Sequence, residues 1–246
     1  MIQILFMRLI RQTETRMKNK KNIIYIVLVI LIASSVAYFY LTDLYKSVKE
    51  DLTKIYTVVD FPNALDTMNK DILEKTLEEL NLQYTKIQEG DHIYVRWINI
   101  GILKKRLNDF KGTEEAWQDA ISYDSEQSLA YGNLADLYLF NMKEYEKAEE
   151  YYLKVLSVRQ DNHAYYVGLV SLYRYNMTEK ANLIEGIMIR GAETNPSEAE
   201  NYYMYLSNYF YYGPNNHGGD NKTKASYYAQ KVLEINPELE DQLLGI

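Results

Sequence analysis

The feature that most limits what this chain can fold into is a small residue that returns at a nearly fixed interval. Small or near-small side chains fall at Gly101, Ala135, Val170 and Ser207, at spacings of 34, 35 and 37. A second pair recurs behind each, as Trp117/Ala120, Tyr152/Val155, Met188/Gly191 and Ala229/Val232. Every unit then closes on a polar or Pro-containing end: Asp124-Ser125, Arg159-Gln160, Asn195-Pro196 and Asn236-Pro237. A period of this length implies one supersecondary unit used repeatedly, here helix, turn and helix. No single pair of helices buries enough apolar surface, so neighbours must stack into one continuous core. Gly101, Ala120, Ala135 and Ala225 let helices approach closely, and Trp97, Trp117, Tyr138 and Tyr152 fill the space opposite. The expected fold is therefore all-α, a helix–turn–helix solenoid of about four repeats over residues 91–246.

Specific stretches carry a family likeness. Trp97-Ile-Asn-Ile100-Gly101 fits a first helix written W-x₂-L-G. Leu107 through Ala120 fits the turn and second helix, and Lys224-Ala225 through Ala229, Val232 and Pro237 gives the clearest second helix and stop. On these residues the chain resembles the tetratricopeptide repeat (TPR) family. It departs from that pattern at Thr113 and Ile184, where Ala is usual, and at Ser125, where Pro is usual. Repeat three carries about two extra residues, and repeat four a Gly/Asn-rich insertion, Gly213–Thr223. The resemblance implies a TPR-like solenoid with a non-catalytic, protein-binding role and a groove lined by five positions of each first helix. Carried onto this sequence, those positions include Ile98, Ile102, Lys105 and Arg106 from repeat one. They also include Asp136 and Leu139 from repeat two, Ser171, Arg174 and Tyr175 from repeat three, and Met204, Asn208, Tyr211 and Tyr212 from repeat four. Family members that clamp a terminal carboxylate place Lys and Asn where this chain has Ile98 and Ile102, so the resemblance argues against that specialised activity.

Ahead of the repeats, Ile23–Thr42 is twenty residues without a charge, twelve of them Ile, Leu, Val or Phe. A helix of that length spans roughly 30 Å, the hydrocarbon thickness of a bilayer. Insertion is favoured by on the order of 4–7 kcal/mol, about half of which one central Lys would cancel. Residues 1–22 carry six basic side chains against Glu14, a net of +5, and the far flank has no such excess. The positive-inside rule then holds the N-terminus in the cytoplasm and exports the C-terminal body. A cleaved signal peptide is the rival, with Ile23–Ile32 as its apolar core and Ser35-Val36-Ala37 as the cleavage site. Tyr38-Phe39-Tyr40-Leu41 continues the apolar run past that cut and favours an uncleaved signal-anchor. Met17 followed by Lys-Asn-Lys-Lys reads as a natural start, with residues 1–16 as an upstream mis-start. The domain plan is a basic N-terminus at 1–22, a transmembrane helix at 23–42 and a helical stalk at 43–62, broken at Phe61-Pro62. A capping helix or half-repeat follows at 63–90, with Leu65, Met68, Ile72, Leu77, Leu80 and Tyr84 near helical spacing, and the solenoid at 91–246. Glu238–Leu244 has the size of a short terminal helix.

Removing the +5 of residues 1–22 from the total of −7 leaves −12 for the rest. An acidic body argues against nucleic acid, whose binding rests on Lys and Arg neutralising phosphates. Zero Cys removes disulfides, thiolate metal sites and cysteine nucleophiles. The three histidines, His92, His163 and His217, are scattered, and no P-loop, G-x-S-x-G or H-E-x-x-H occurs. The loop Asn215–Asn221 offers one imidazole and one carboxylate, too few for a metal cage. Glu114/Glu115 and Glu149/Glu150 sit on second helices, where solvated faces are the rule. No enzyme, cofactor or metal is expected, and what remains is binding. Tyr accounts for 25 of 246 residues, and the run Tyr202–Tyr212 is too dense for one buried helix face. Some of those rings must face the groove or solvent, where Tyr supplies contact area at low entropic cost. The expected partner is a peptide or helix of another protein, met by a Tyr-lined groove with a basic spot at Lys105, Arg106 and Arg174. The alternative is a glycan or peptidoglycan, whose sugar faces also stack on aromatic rings.

Overall fold

A computed structural model describes residues 52–213 and 219–243, together with the separate positions 30, 33, 34, 37 and 38. The chain divides into two units, residues 1–55 and residues 56–246. In the first, the described positions 30, 33, 34, 37, 38, 52 and 53 are helical. The expected membrane segment Ile23–Thr42 lies almost wholly outside the described residues. Among those that are described, no helix is long and apolar enough to cross a membrane.

Among the described residues the second unit contains helices and turns and no strand, and its helices pack chiefly against their neighbours in sequence. They are α1 (Lys70–Gln88), α2 (Ile93–Arg106), α3 (Phe110–Tyr123), α4 (Ser128–Asp136), α5 (Tyr145–Val158), α6 (His163–Tyr175), α7 (Ile184–Thr194), α8 (Ala199–Tyr212) and α9 (Gly219–Ile235). Local sequence sets several of the boundaries. The Asn69 side chain accepts from the Ile72 N–H at 2.9 Å and opens α1, and Asp109 does the same for α3 through Gly112. Gly90 takes φ +76°, a left-handed conformation that closes α1 at no steric cost. The α4 helix runs on into a π-helical turn, Leu137–Met142. Repeat three's extra residues form a 3₁₀ segment, Thr178–Leu183, between α6 and α7. The terminal helix expected at Glu238–Leu244 is a 3₁₀ turn, Pro237–Gln242.

The predicted register holds at every repeat. Gly101, Ala135, Val170 and Ser207 are all buried, as are the second-helix pairs from Trp117/Ala120 to Ala229/Val232. At Gly101 the reason for smallness is explicit: a Cβ there would stand 2.2 Å from the Trp117 indole. That indole donates to the Ile98 carbonyl at 3.1 Å, which fixes α3 on α2. Gly191 receives the Tyr202 ring in the same way, so close approach also ties one repeat to the next. First helices lie side by side. The Tyr94 hydroxyl of α2 accepts from the Ala130 N–H of α4 at 3.2 Å, Tyr165 of α6 covers Gly132 of α4, and Tyr202 of α8 meets His163 and Tyr166 of α6 edge-on.

Two expectations are corrected here. The end of the expected helical stalk is a non-helical strap: residues 54–57 carry no helix, and Tyr56 and Phe61 are buried. Asn81 of α1 bonds both the N–H and the carbonyl of Tyr56, and the Tyr56 ring stacks on Tyr84 at 5.1 Å. Burying those rings outweighs a free-standing helix that would leave them in water. On α1 the buried stripe is Leu73, Leu77, Leu80, Tyr84 and Ile87, while Ile72 is exposed, as is Leu65 in the 3₁₀ turn Ala64–Asp66 that precedes the helix.

The second correction concerns the carboxylates read as solvated. Glu114, at the start of α3, accepts from the Tyr138 hydroxyl of the next repeat and lies 3.8 Å from the Lys147 ammonium. Glu149, at the same place in α5, accepts from the Tyr173 hydroxyl and from Lys180 at 2.6 Å. Glu185 on α7 accepts from the Tyr228 hydroxyl and from Lys224, both at 2.7 Å. One carboxylate, one phenol and one ammonium thus clasp each pair of successive repeats. Burial alone would raise the Glu149 and Glu185 carboxyls, but their bonds to Lys and Tyr outweigh it and hold both below the ordinary range. Tyr138, Tyr173 and Tyr228 are pushed well up, by burial first and then by the carboxylate that accepts from each.

Candidate partner-binding surface

The face built by α2, α4, α6 and α8 carries the thirteen positions expected to line a groove, and they divide into three groups. Ile98 and Leu139 are buried, at 4% and 3% exposure, and belong to the core rather than to any surface. Asp136 is exposed as a residue, yet its carboxylate accepts from the Tyr152 hydroxyl at 2.6 Å and so ties α5 to α4. Ile102, Lys105, Arg106, Ser171, Arg174, Tyr175, Met204, Asn208, Tyr211 and Tyr212 all reach solvent at least in part.

The basic residues do not form one spot. Lys105 and Arg106 stand at the end of α2, and Arg174 stands on α6, with α4 between. The two sites are thus two first helices apart along the array. No single small group on a partner bridges them.

The structure instead gathers residues across the α6–α8 boundary. The Arg174 guanidinium lies over the Tyr175 ring at 5.1 Å and over the Tyr209 ring at 5.3 Å. Tyr209 in turn stacks on Tyr205, centroids 6.5 Å apart. The Tyr205 hydroxyl lies beside Arg174 and Ser171. Neither reaches it with hydrogen-bond geometry, and the buried oxygen has no partner. Burial pushes the Tyr205 phenol up, and Arg174 pulls in the other direction. The Asn208 side-chain oxygen is likewise buried without a partner. It is three residues beyond Tyr205, on the same side of α8. A third such atom, Asn141 Oδ1, sits in the π-helical turn beyond α4, next to Phe140, which is 59% exposed. Turns of this kind recur at functional sites in helical proteins.

Tyr205 and Tyr209 were not among the thirteen expected groove residues, which were restricted to five positions of each first helix. Their density was the signal: two tyrosines one helical turn apart, facing a neighbouring helix that carries Arg174. Phe140 was missed because the π-helical turn shifts its side chain relative to a regular helix.

Elsewhere a cavity of about 320 Å³ opens between α5, α6 and α7, floored by Tyr166 and Leu169 and rimmed by Gln160 and Arg190. None of the thirteen expected residues lines it. Among the described residues no group of three His, Asp or Glu side chains is placed to hold a metal. The loop at 215–221 falls largely outside the described residues. No protein-family model and no curated protein matches the chain.

Proposed function

We propose that this protein is a membrane-anchored, non-catalytic adaptor whose TPR-like solenoid captures an extended peptide or helix of a partner protein. The uncharged segment Ile23–Thr42 anchors it with the N-terminus in the cytoplasm, and the solenoid works on the other side of the membrane. The observation that carries the binding reading is the combination on the first-helix face. Large rings stand in solvent there, Phe140 at 59%, Tyr175 at 67% and Tyr212 at 57%, beside buried polar atoms that lack partners. A core-packing role accounts for neither feature, since packing hides rings and satisfies polar atoms. Interfaces use such exposed rings as anchors at their centre. The helix–turn–helix pairing and the repeat-to-repeat clasps supply the rigid frame such a surface needs.

The test is proximity labelling in living cells with the label fused after Ile246, comparing wild type with Tyr175→Ala/Tyr212→Ala. Both side chains are exposed, so the melting temperature should not move. A small set of exported or membrane proteins should be labelled by wild type and lost in the variant. An identical set from both proteins would remove this face as the binding surface. Labelling dominated by cell-wall material would promote the glycan reading, which rests on the same exposed rings.

A further inference from the structure

We propose that the joint between repeats three and four is a pH-sensitive hinge, at which a proton taken up by His163 loosens α8 and α9 from α6 and α7. Its operation requires no partner and does not depend on the adaptor reading.

His163 opens α6, and its ring meets the Tyr202 ring of α8 edge-on with centroids 4.5 Å apart. Tyr202 is the centre of this joint. It is fully buried, it meets the Tyr166 ring edge-on at 5.4 Å, and a Cβ at Gly191 of α7 would stand 2.2 Å from it. Its hydroxyl accepts from Asn195 Nδ2 at 2.8 Å, and the same amide donates to the Gln160 carbonyl at 2.7 Å. The chain segments of α6, α7 and α8 and the end of repeat two therefore converge on one ring. Of the side chains in this contact, only His163 ordinarily titrates between pH 5 and 8.

His163 Nε2 is buried and has no hydrogen-bond partner among the described residues. A neutral ring can turn its lone pair there and leave one acceptor unsatisfied. The imidazolium carries an N–H on both nitrogens, so protonation puts a charged donor where no acceptor stands. The neighbouring carboxylates do not close that gap. Glu198, in the 3₁₀ turn Pro196–Glu198 that leads into α8, acts on the ring only through space, and Asp161, ahead of α6, is engaged by Arg159 at 2.7 Å. From α8 the Asn201 backbone also favours the charged form, while the tyrosines and Asn195 bring no charge. Burial outweighs both favourable influences and holds the imidazole below its ordinary range.

Opening the joint returns His163 to water and to its ordinary value near 6.5. The open form then takes up the proton more readily than the closed one. Closure is favoured above about pH 6.5 and loses ground as pH falls below it. One proton shifts the open-to-closed ratio by at most tenfold per pH unit, so by up to about 10-fold between pH 7.5 and 5.5. The clasp carboxylates Glu149 and Glu185, held below the ordinary carboxylate range, stay ionised throughout that window.

The experiment is hydrogen–deuterium exchange on the full-length protein in detergent micelles at pH 7.5, 6.5 and 5.5, each rate corrected for the intrinsic pH dependence of exchange. Amides of α8 and α9 should lose up to about 10-fold in protection at pH 5.5, while those of α2 and α3 keep theirs. His163→Phe leaves a ring against Tyr202 and cannot take up a proton, so it should abolish the loss. His163→Gln should do the same and serves as the second neutral variant if Phe disturbs the fold. Glu198→Gln removes the through-space support for the imidazolium and should deepen the loss. Protection of α8 and α9 that does not change with pH in wild type overturns the hinge. So does a loss that persists in both His163 variants, which would assign it to His92 or His217, or one spread evenly from α2 to α9.

Discussion

One chemical change, Gly→Ala inside a helix, should have opposite signs at two places in this molecule. At Gly186, the third residue of α7, an added Cβ meets nothing within 4 Å. Alanine there removes the backbone entropy that glycine loses on folding, and should stabilise by about 0.5–1 kcal/mol. At Gly101 the same propensity gain is present, but the new Cβ would stand 2.2 Å from Trp117 Nε1 and 2.5 Å from its Cδ1. The indole is 2% exposed and held by its bond to the Ile98 carbonyl, so it has no free space to move into. Overpacking of this kind costs about 1–3 kcal/mol, and weakening the indole hydrogen bond adds about 0.5–1.5 kcal/mol. Subtracting the propensity gain leaves a net loss of roughly 0.5–4 kcal/mol. For a unit of this size each kcal/mol moves the melting temperature by roughly 2–4 °C. Thermal melts followed by circular dichroism should therefore show Gly186→Ala a few degrees above wild type and Gly101→Ala several degrees below. Tryptophan emission should change only in Gly101→Ala, because only there does the indole shift. Melting shifts of the same sign, or a destabilised Gly101→Ala with unaltered emission, would refute the close-approach account of the repeat.

Two further outcomes follow from residues already placed. Tyr173→Phe removes the phenol from the ionised Glu149 clasp and should cost about 1.5–3 kcal/mol, coupled to Lys180→Ala in a double-mutant cycle because both bond one carboxylate. Additive effects would mean that the clasp is not a unit. Since the Glu149 and Glu185 carboxyls are held below their unfolded range, the stability they bring is present above that range and is lost as pH falls through their folded values. Acid titration of wild type should show that loss, and Glu149→Gln should flatten it. In the N-terminal segment, Ile32→Lys places a charge at the centre of the apolar run at a cost of roughly 2.5–3.5 kcal/mol. The membrane-bound fraction on carbonate extraction should drop, and an unchanged fraction would count against Ile23–Thr42 as the anchor.

What the sequence made legible was periodic, and what it concealed was relational. Small residues at Gly101, Ala135, Val170 and Ser207 could be aligned without coordinates because each faces the same demand, a neighbouring helix at close range. The strap at Tyr56 and Phe61 could not be read that way. Nothing in its local pattern names Asn81, 25 residues on, as the partner of its backbone. The groove positions were half legible. Register alone put Ile98 and Leu139 on the surface, but register fixes the angle around a helix and not how far the next helix covers it. The basic spot failed for a related reason. Lys105, Arg106 and Arg174 occupy equivalent positions in different repeats, and equivalence in a solenoid means separation by one repeat spacing for each step.

The tyrosine excess shows how one residue type can serve two ends of this architecture. A second-helix carboxylate recurs at Glu114, Glu149 and Glu185, spaced 35 and 36 residues apart, nearly the repeat itself. Each takes a phenol from the following repeat, which only Tyr among the large core residues can supply while still filling the space between helices. Phe would pack there and leave a partly buried carboxylate short of a donor. The same ring, turned to the first-helix face, offers area and a hydroxyl with no internal partner, as at Tyr205. Clasp tyrosines therefore have a carboxylate waiting in the preceding repeat, whereas the Tyr205 hydroxyl sits beside a cation and a serine and bonds neither. That difference separates the tyrosines that hold the array together from Tyr205, whose buried hydroxyl has no hydrogen bond inside it.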